Sequence, residues 1–207
     1  MSKERTDYLL DLNEILGPKM SAKLPGFAKR FLRKRLHMDQ INDCIMKAEH
    51  YAGAGFFDEA LNYIGITYKT RGEENLDLSK NYIFACNHPL GGPEALIIGS
   101  VFRRIYGDGF KVPANQILYN MKPLQEFFVP VKVQAGRQSR DIADRFAQMF
   151  ESDCQVLVFP AGLCARTFKG VITEMPWKKM FITQARKYER DVVPVHISGH
   201  NSKWYFF

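Results

Sequence analysis

Cysteine is scarce in this chain, and its spacing offers no pairs. The four residues, Cys44, Cys86, Cys154 and Cys164, form no disulfide framework, which argues against a stapled secreted module and fits reduced thiols. No stretch approaches the roughly 20 consecutive apolar residues of a spanning helix. The N-terminus, MSKERTDYLLDLNEILG, lacks a long apolar core and a small-residue cleavage site, so it does not read as a secretory leader. A Gly-x-Ser-x-Gly elbow and a Walker loop are both missing, which removes the commonest serine-hydrolase and P-loop signatures. There is no internal repeat and no low-complexity segment. Acid is also missing locally. Between Pro18 and Arg35 stand Lys19, Lys23, Lys29, Arg30, Arg33, Lys34 and Arg35, with no Asp or Glu among them.

What is present is a globular composition. Of 207 residues, 46% are hydrophobic and 25% charged, the balance of an ordinary folded domain. The net charge is +7, and a basic block wants an anionic partner: nucleic acid, an acidic protein or a lipid surface. Pro25 and Gly26 open a helix with Phe27, Ala28, Phe31, Leu32 and Leu36 on one side and Lys29, Arg30, Arg33 and Lys34 on the other. A basic amphipathic helix of this type can lie in a membrane interface, or it can pack on its own core. No recognition helix or stacking-aromatic motif accompanies it, so nucleic acid is not the expected partner.

Residues 41–66 read as mostly helical, and RGEENLDLSKN as a polar turn. YIFACN reads as a short buried strand. PEALIIGSVFRRIYG follows as a helix, with Pro93 at its first position and Gly107 at its end. FKVPANQ and FFVPVKV are strands interrupted by proline. SRDIADRFAQMF is an amphipathic helix with Ser139 as cap and Ile142, Ala143, Phe146, Met149 and Phe150 inward. QVLVFP is a strand. PWKKMFITQARKYER is a helix with Trp177, Met180, Phe181, Ala185 and Tyr188 inward, and DVVPVHIS is the last strand. The alternation predicts an α/β fold with a mixed, largely parallel sheet flanked by helices, preceded by the basic amphipathic segment. The division expected is a helical membrane-association segment over 1–66 and an α/β domain over 67–207. The aromatic end, NSKWYFF, suggests either a longer chain or contact with lipid.

Two constellations carry chemistry. His88 stands just past a strand end, where ligands of open α/β sheets sit. Glu94 stands in the first turn of the next helix, where the helix dipole favours a carboxylate. Gly91 and Gly92 permit the tight return between them. Folded back, Glu94 orients His88 and leaves its other nitrogen as a general base, a role worth roughly 100- to 10,000-fold in rate. The plainer alternative is a loop histidine and an ordinary first-turn acid. The second constellation is VFPAGLCARTFKG, where a strand ends in Pro160, Ala161 and Gly162 and Arg166 and Lys169 follow. Cations at a strand end suit a phosphate, a carboxylate or the phosphopantetheine of a thioester donor; a solvated basic loop is the alternative. A zinc site on His196 and His200 lacks further ligands, so no metal is expected. Cys86 as a nucleophile needs a turn to reach His88.

The blocks NHPLGGPE, FPAGLCAR, PWKKMF, VVPV and HNS, in that order over residues 81–200, resemble the glycerolipid acyltransferase superfamily, the lysophosphatidic acid acyltransferases and their relatives. They are most similar to its bacterial hemolysin-like subgroup, some members of which acylate amino acids on the way to ornithine or glycine lipids. The resemblance implies His88 and Glu94 as the catalytic pair and Gly91 and Gly92 amides for the oxyanion. It implies Phe159, Pro160, Ala161, Gly162, Arg166 and Lys169 as substrate-binding, with Lys132 or Arg137 as a further cation. It also implies an acyl carrier protein or coenzyme A thioester as co-substrate, with no separate cofactor. The expected place is the cytoplasmic face of the bacterial inner membrane, held peripherally on anionic lipid by Phe27, Lys29, Arg30, Phe31, Arg33 and Lys34. Two departures stand out. Five residues, not four, separate His88 from its acid, which is Glu rather than Asp, and Ala161 stands where the main family has Glu. The second points away from a glycerol-phosphate acceptor and toward the amine of an amino acid or a related lipid precursor. Lysophosphatidate O-acylation and a non-catalytic membrane-binding module are the other readings.

Overall fold

β1 (Tyr82–Cys86) is buried along its whole length. A strand covered on both faces is apolar throughout, as YIFAC is. Its side chains feed two cores in alternation. Tyr82, Phe84 and Cys86 join one, and Ile83 and Ala85 the other, as the two-residue period of a strand requires.

The computed structural model describes residues 10–35, 38–48, 53, 55–119, 121–131, 140–168 and 171–199. Before β1 come α1 (Leu12–Leu16), α2 (Pro18–Lys23), α3 (Gly26–Arg35), α4 (Met38–Ala48) and α5 (Gly55–Ile64). After it come α6 (Pro93–Tyr106), β2 (Phe110–Ala114), α7 (Gln116–Tyr119), β3 (Phe128–Pro130), α8 (Arg140–Glu151) and β4 (Gln155–Val158). The remainder is β5 (Arg166–Phe168), β6 (Val171–Thr173), α9 (Met180–Lys187) and β7 (Asp191–Val195). The main sheet runs β3-β2-β4-β1-β7, and every adjacent pair in it is parallel. The largely parallel α/β sheet expected from the sequence is therefore present. Among the described residues, antiparallel pairing is confined to a separate hairpin, β5–β6.

One face of the sheet is covered by Cys44 and Ile45 of α4, Phe56, Phe57 and Ala60 of α5, and Ile98, Val101 and Phe102 of α6. The other is covered by Met149 and Phe150 of α8 and Phe181 and Ala185 of α9. α5 and α6 approach closely, and Gly99 is the reason: a Cβ there would lie 2.3 Å from the Phe57 ring.

The prolines sit where a sheet tolerates them. Val112 donates its N–H to Phe127 across to the β3 side. Pro113 therefore faces the β4 side, where pairing has already ended at Lys111. In the edge strand β7, the Val195 carbonyl accepts from Asn87 of the β1 chain, so Pro194 faces away from β1 and leaves no ladder bond unmade.

Two expectations need correction. The last helix starts at Met180, not at Pro176, because the Lys178 N–H bonds the Pro160 carbonyl and keeps the chain out of helical register. Trp177 accordingly is exposed, touching the core only through an edge-on contact with Phe181. In α8, Ala143 faces out.

Candidate active site

The sheet's order puts β4 and β7 on either side of β1, so the chain leaving β1 is braced from both sides. On the β7 side, Asn87 extends the ladder with its side chain: Nδ2 donates to the Ile197 carbonyl at 2.9 Å, and Oδ1 accepts the Ile197 N–H at 2.7 Å. On the β4 side, the His88 ring stacks on Phe159, with centroids 4.4 Å apart and planes at 24°. The backbone of His88 is fixed as well. Its N–H donates to Glu174 Oε1 at 2.7 Å, and its carbonyl accepts the Ala165 N–H at 2.7 Å.

The loop then returns as its glycines allow. Gly91 has φ +99°, a conformation that favours glycine. Pro93 opens α6, and Glu94 lies in its first turn. Glu94 Oε1 meets His88 Nδ1 at 2.6 Å. The same oxygen accepts the Leu90 N–H at 3.0 Å and the Gly91 N–H at 2.9 Å. Glu94 has no exposed surface, and its Oε2 has no hydrogen-bond partner among the described residues. Burial pushes the Glu94 carboxyl up. The His88 bond and the Gly91 N–H outweigh it, and the group lies below the ordinary carboxylate value. An ionised carboxylate only accepts, so Nδ1 is the protonated nitrogen of a neutral His88 imidazole, and the lone pair of that form is on Nε2. Such a nitrogen can take a proton from a substrate, and the carboxylate stabilises the imidazolium that results.

The FPAG block forms a turn against this pair. The Gly162 N–H bonds the Phe159 carbonyl at 2.9 Å, and Gly162 has φ +72°. Pro160 and Ala161 are buried. The Lys178 ammonium lies over the turn, 3.2 Å from where a Cβ on Gly162 would be. Arg166 is exposed at the start of β5, next in the chain to the Ala165 amide that bonds His88. Lys132, Arg137 and Lys169 lie outside the described residues.

The structure thus brings together His88, Glu94, Gly91, Phe159 and the FPAG turn, with Arg166 nearby in the chain. It withdraws one assignment. The Gly91 amide is occupied by Glu94 and does not face an oxyanion, whereas the Gly92 amide, at the head of α6, is not among those Glu94 occupies. Burial, with the Glu94 and Glu174 carboxylates nearby, pushes the Cys86 thiol up to about 12, so it is no thiolate nucleophile at neutral pH. Sequence reasoning passed over Asn87, Glu174 and Lys178. Asn87 gave a signal as part of NHPLGGPE and Lys178 as part of PWKKMF, whereas Glu174 gave none.

The basic helix α3 lies on α4. Its apolar side is divided: Ala28 and Leu32 are half-buried, while Phe27 is 78% and Phe31 66% exposed. Two surface hollows of about 700 and 530 Å³ open around α3 and include no residue of the His88 loop. Their size does not make them the reactive centre, since neither contains an oriented acid–base pair. Among the described residues, no helix is long and apolar enough to cross a membrane, and no group of three His, Cys, Asp or Glu is placed to hold a metal.

Known proteins resemble this chain over most of its length. The profile of a family described as Acyltransferase matches residues 12–207. A lyso-glycine lipid O-acyltransferase of Bacteroides thetaiotaomicron is 35% identical over 202 residues, which is 96% of this chain and 74% of that protein. A protein of the same name from Phocaeicola vulgatus is 31% identical, over 96% of this chain and 72% of its own length. No solved structure matches. The order of blocks in the sequence, the paired His88 and Glu94 and these matches lead to one conclusion: the chain belongs to this acyltransferase family.

Proposed function

We propose that this protein moves a fatty acyl group from an acyl thioester to the hydroxyl of a lyso-lipid whose head group is an amino acid. The observation that carries the reading is the His88 Nδ1–Glu94 Oε1 contact of 2.6 Å, the geometry that a base oriented by an acid requires. The choice of oxygen as acceptor atom, and of an amino-acid lipid, draws support from the names of the two relatives, both lyso-glycine lipid O-acyltransferases. The absence of Glu at Ala161 fits an acceptor other than a glycerol phosphate.

The reaction runs as follows. His88 Nε2 takes the hydroxyl proton as the oxygen attacks the thioester carbonyl. The oxyanion that forms faces the Gly92 amide at the positive end of α6. The C–S bond breaks, and the departing sulfur takes the proton back from the imidazolium. An ester and a free thiol are left. Glu94 holds the imidazole throughout. Arg166, Lys178 and Lys169 receive the anionic part of donor or acceptor, either the donor's phosphopantetheine or the lipid's carboxylate. Acyl carrier protein or coenzyme A supplies the thioester, and no separate cofactor is required. The enzyme works peripherally at the cytoplasmic face of the bacterial inner membrane, attracted to anionic lipid by α3.

The test is lipid mass spectrometry on bacteria making this chain or its H88A variant. The expected result is a diacylated amino-acid lipid formed from its lyso precursor and lost in H88A. In vitro turnover should fall by about 100- to 10,000-fold in H88A. A His88-dependent mono-acylated amino acid would move the acceptor to nitrogen, and a new phosphatidate would move it to lysophosphatidate. No His88-dependent lipid, with the variant as well folded as wild type, overturns the catalytic reading.

A further inference from the structure

The β5–β6 hairpin belongs to neither core. Among the described residues it pairs only with itself, Phe168 opposite Val171, Thr167 opposite Ile172 and Arg166 opposite Thr173. Side chains opposite one another share a face, and the next pair along lies on the other face. Phe168 and Val171 therefore occupy one face and Ile172 the other, and all three are exposed: 68%, 64% and 42%. A hairpin that covered a core, or docked on a protein through one side, would be apolar on one face and polar on the other. Here both faces carry exposed apolar side chains, Phe168 and Val171 on one and Ile172 on the other, and exposure is greatest in the pair next to the turn.

The apolar character continues at the base. Leu163, just before it in the chain, and Met175 and Trp177, just after it, are exposed. An isolated two-stranded hairpin is marginal in water, and contiguous exposed apolar surface marks a contact site. The charge around it is mainly positive. Between Leu163 and Ile182 the chain carries Arg166, Lys169, Lys178 and Lys179 against a single acid, Glu174. That acid is bonded to the His88 amide. Exposed apolar side chains in a cation-rich segment match a bilayer with anionic head groups.

We infer that the β5–β6 hairpin inserts into an anionic bilayer surface and delivers the lyso-lipid acceptor from it to His88. The same segment reaches the reactive histidine at both ends, through the Ala165 amide before β5 and Glu174 after β6. Lipid entering beside the hairpin thus arrives next to the His88 loop. The delivery half of this inference rests on reading His88 and Glu94 as the acyl-transfer pair; the insertion half does not.

The test uses the full chain with W204F, which leaves Trp177 as the single tryptophan. Vesicles of phosphatidylglycerol and phosphatidylethanolamine are compared with phosphatidylcholine alone. Trp177 emission should shift to the blue with the anionic vesicles. F168S/V171S/I172S should abolish the shift and weaken vesicle binding by about tenfold or more, with the thermal melt unchanged. The triple variant should lose turnover of lyso-lipid held in vesicles and keep turnover of the same lipid presented as monomers. H88A should bind vesicles as wild type does, so failed catalysis and failed insertion give different patterns. Unchanged emission and vesicle binding in the triple variant overturns the inference. So does a defect seen only as a raised KM for a carrier-protein-bound donor, which would make the hairpin a protein contact.

Discussion

Glu94 is under opposing influences. Complete burial favours the neutral acid, while a histidine and two amides favour the anion. The anion prevails, and the carboxyl sits below its ordinary value of 4.5. A group depressed in the folded state contributes stability that is fully present above its unfolded value and lost as the pH falls through its folded one. Glutamine at this position cannot ionise and has no such contribution. The gap in melting temperature between wild type and E94Q should therefore narrow as the pH falls below 4.5. A gap independent of pH would mean that Glu94 is protonated in the native protein. Glu174 acts one step further out, holding the His88 N–H at 2.7 Å. It positions the histidine and touches no reacting atom in the proposed mechanism. E174A should lower kcat by about 100-fold, the cost of a misplaced catalytic group, with little change in KM. E174Q keeps a carbonyl oxygen that can accept the same N–H and should recover most of the rate. Equal losses in both variants would mean that charge, not position, is what Glu174 supplies.

The α5–α6 contact is close, and it depends on a missing side chain. A Cβ at Gly99 would come within 2.3 to 2.6 Å of three atoms of the buried Phe57 ring. That ring also meets Phe110 and Phe127 and cannot swing away without disturbing them. G99A should cost about 1–3 kcal/mol by overpacking, a drop of about 3–10 °C in Tm for a chain of this size. A melting temperature equal to wild type would show that the helices separate freely. The elements that sequence makes legible are those with long local patterns. β1, α6 and α8 announce themselves by period, by Pro93 and by Gly107. His88 and Glu94 are legible for the same reason, since six positions of chain join them through a glycine loop. β5 and β6 have only three residues each, too few for a period to show, and so they read as a cationic loop. Glu174 lies 86 positions from its partner, and Lys178 reaches the FPAG turn from the far side of the hairpin. Contacts of that kind depend on tertiary packing that no local pattern encodes.

At the scale of the whole molecule, charge and apolar exposure fall together. The net charge of +7 is concentrated in α2 and α3 and around the hairpin. Within α3 the cations differ. Arg33 is paired with Asp39 at 2.6 Å and Lys29 bonds Asn13, while Arg30 and Lys34 have no ion-pair partner among the described residues. Beside them stand Phe27 and Phe31, and Met20 of α2 is exposed too. Two forces of different range then act on a lipid surface. Each unpaired cation contributes about 1 kcal/mol near anionic head groups, an attraction screened beyond about 8 Å at physiological salt. Each phenylalanine contributes up to about 1.5–3 kcal/mol when fully buried, and salt does not screen that term. The two separate in a vesicle-sedimentation titration. R30S/K34S should weaken binding at low salt and flatten its salt dependence. F27S/F31S should leave the salt dependence intact and lower binding by about tenfold or more at every salt concentration. If F27S/F31S binds anionic vesicles as tightly as wild type, α3 attracts the enzyme to the surface by charge alone. Apolar anchorage would then fall to the hairpin beside His88.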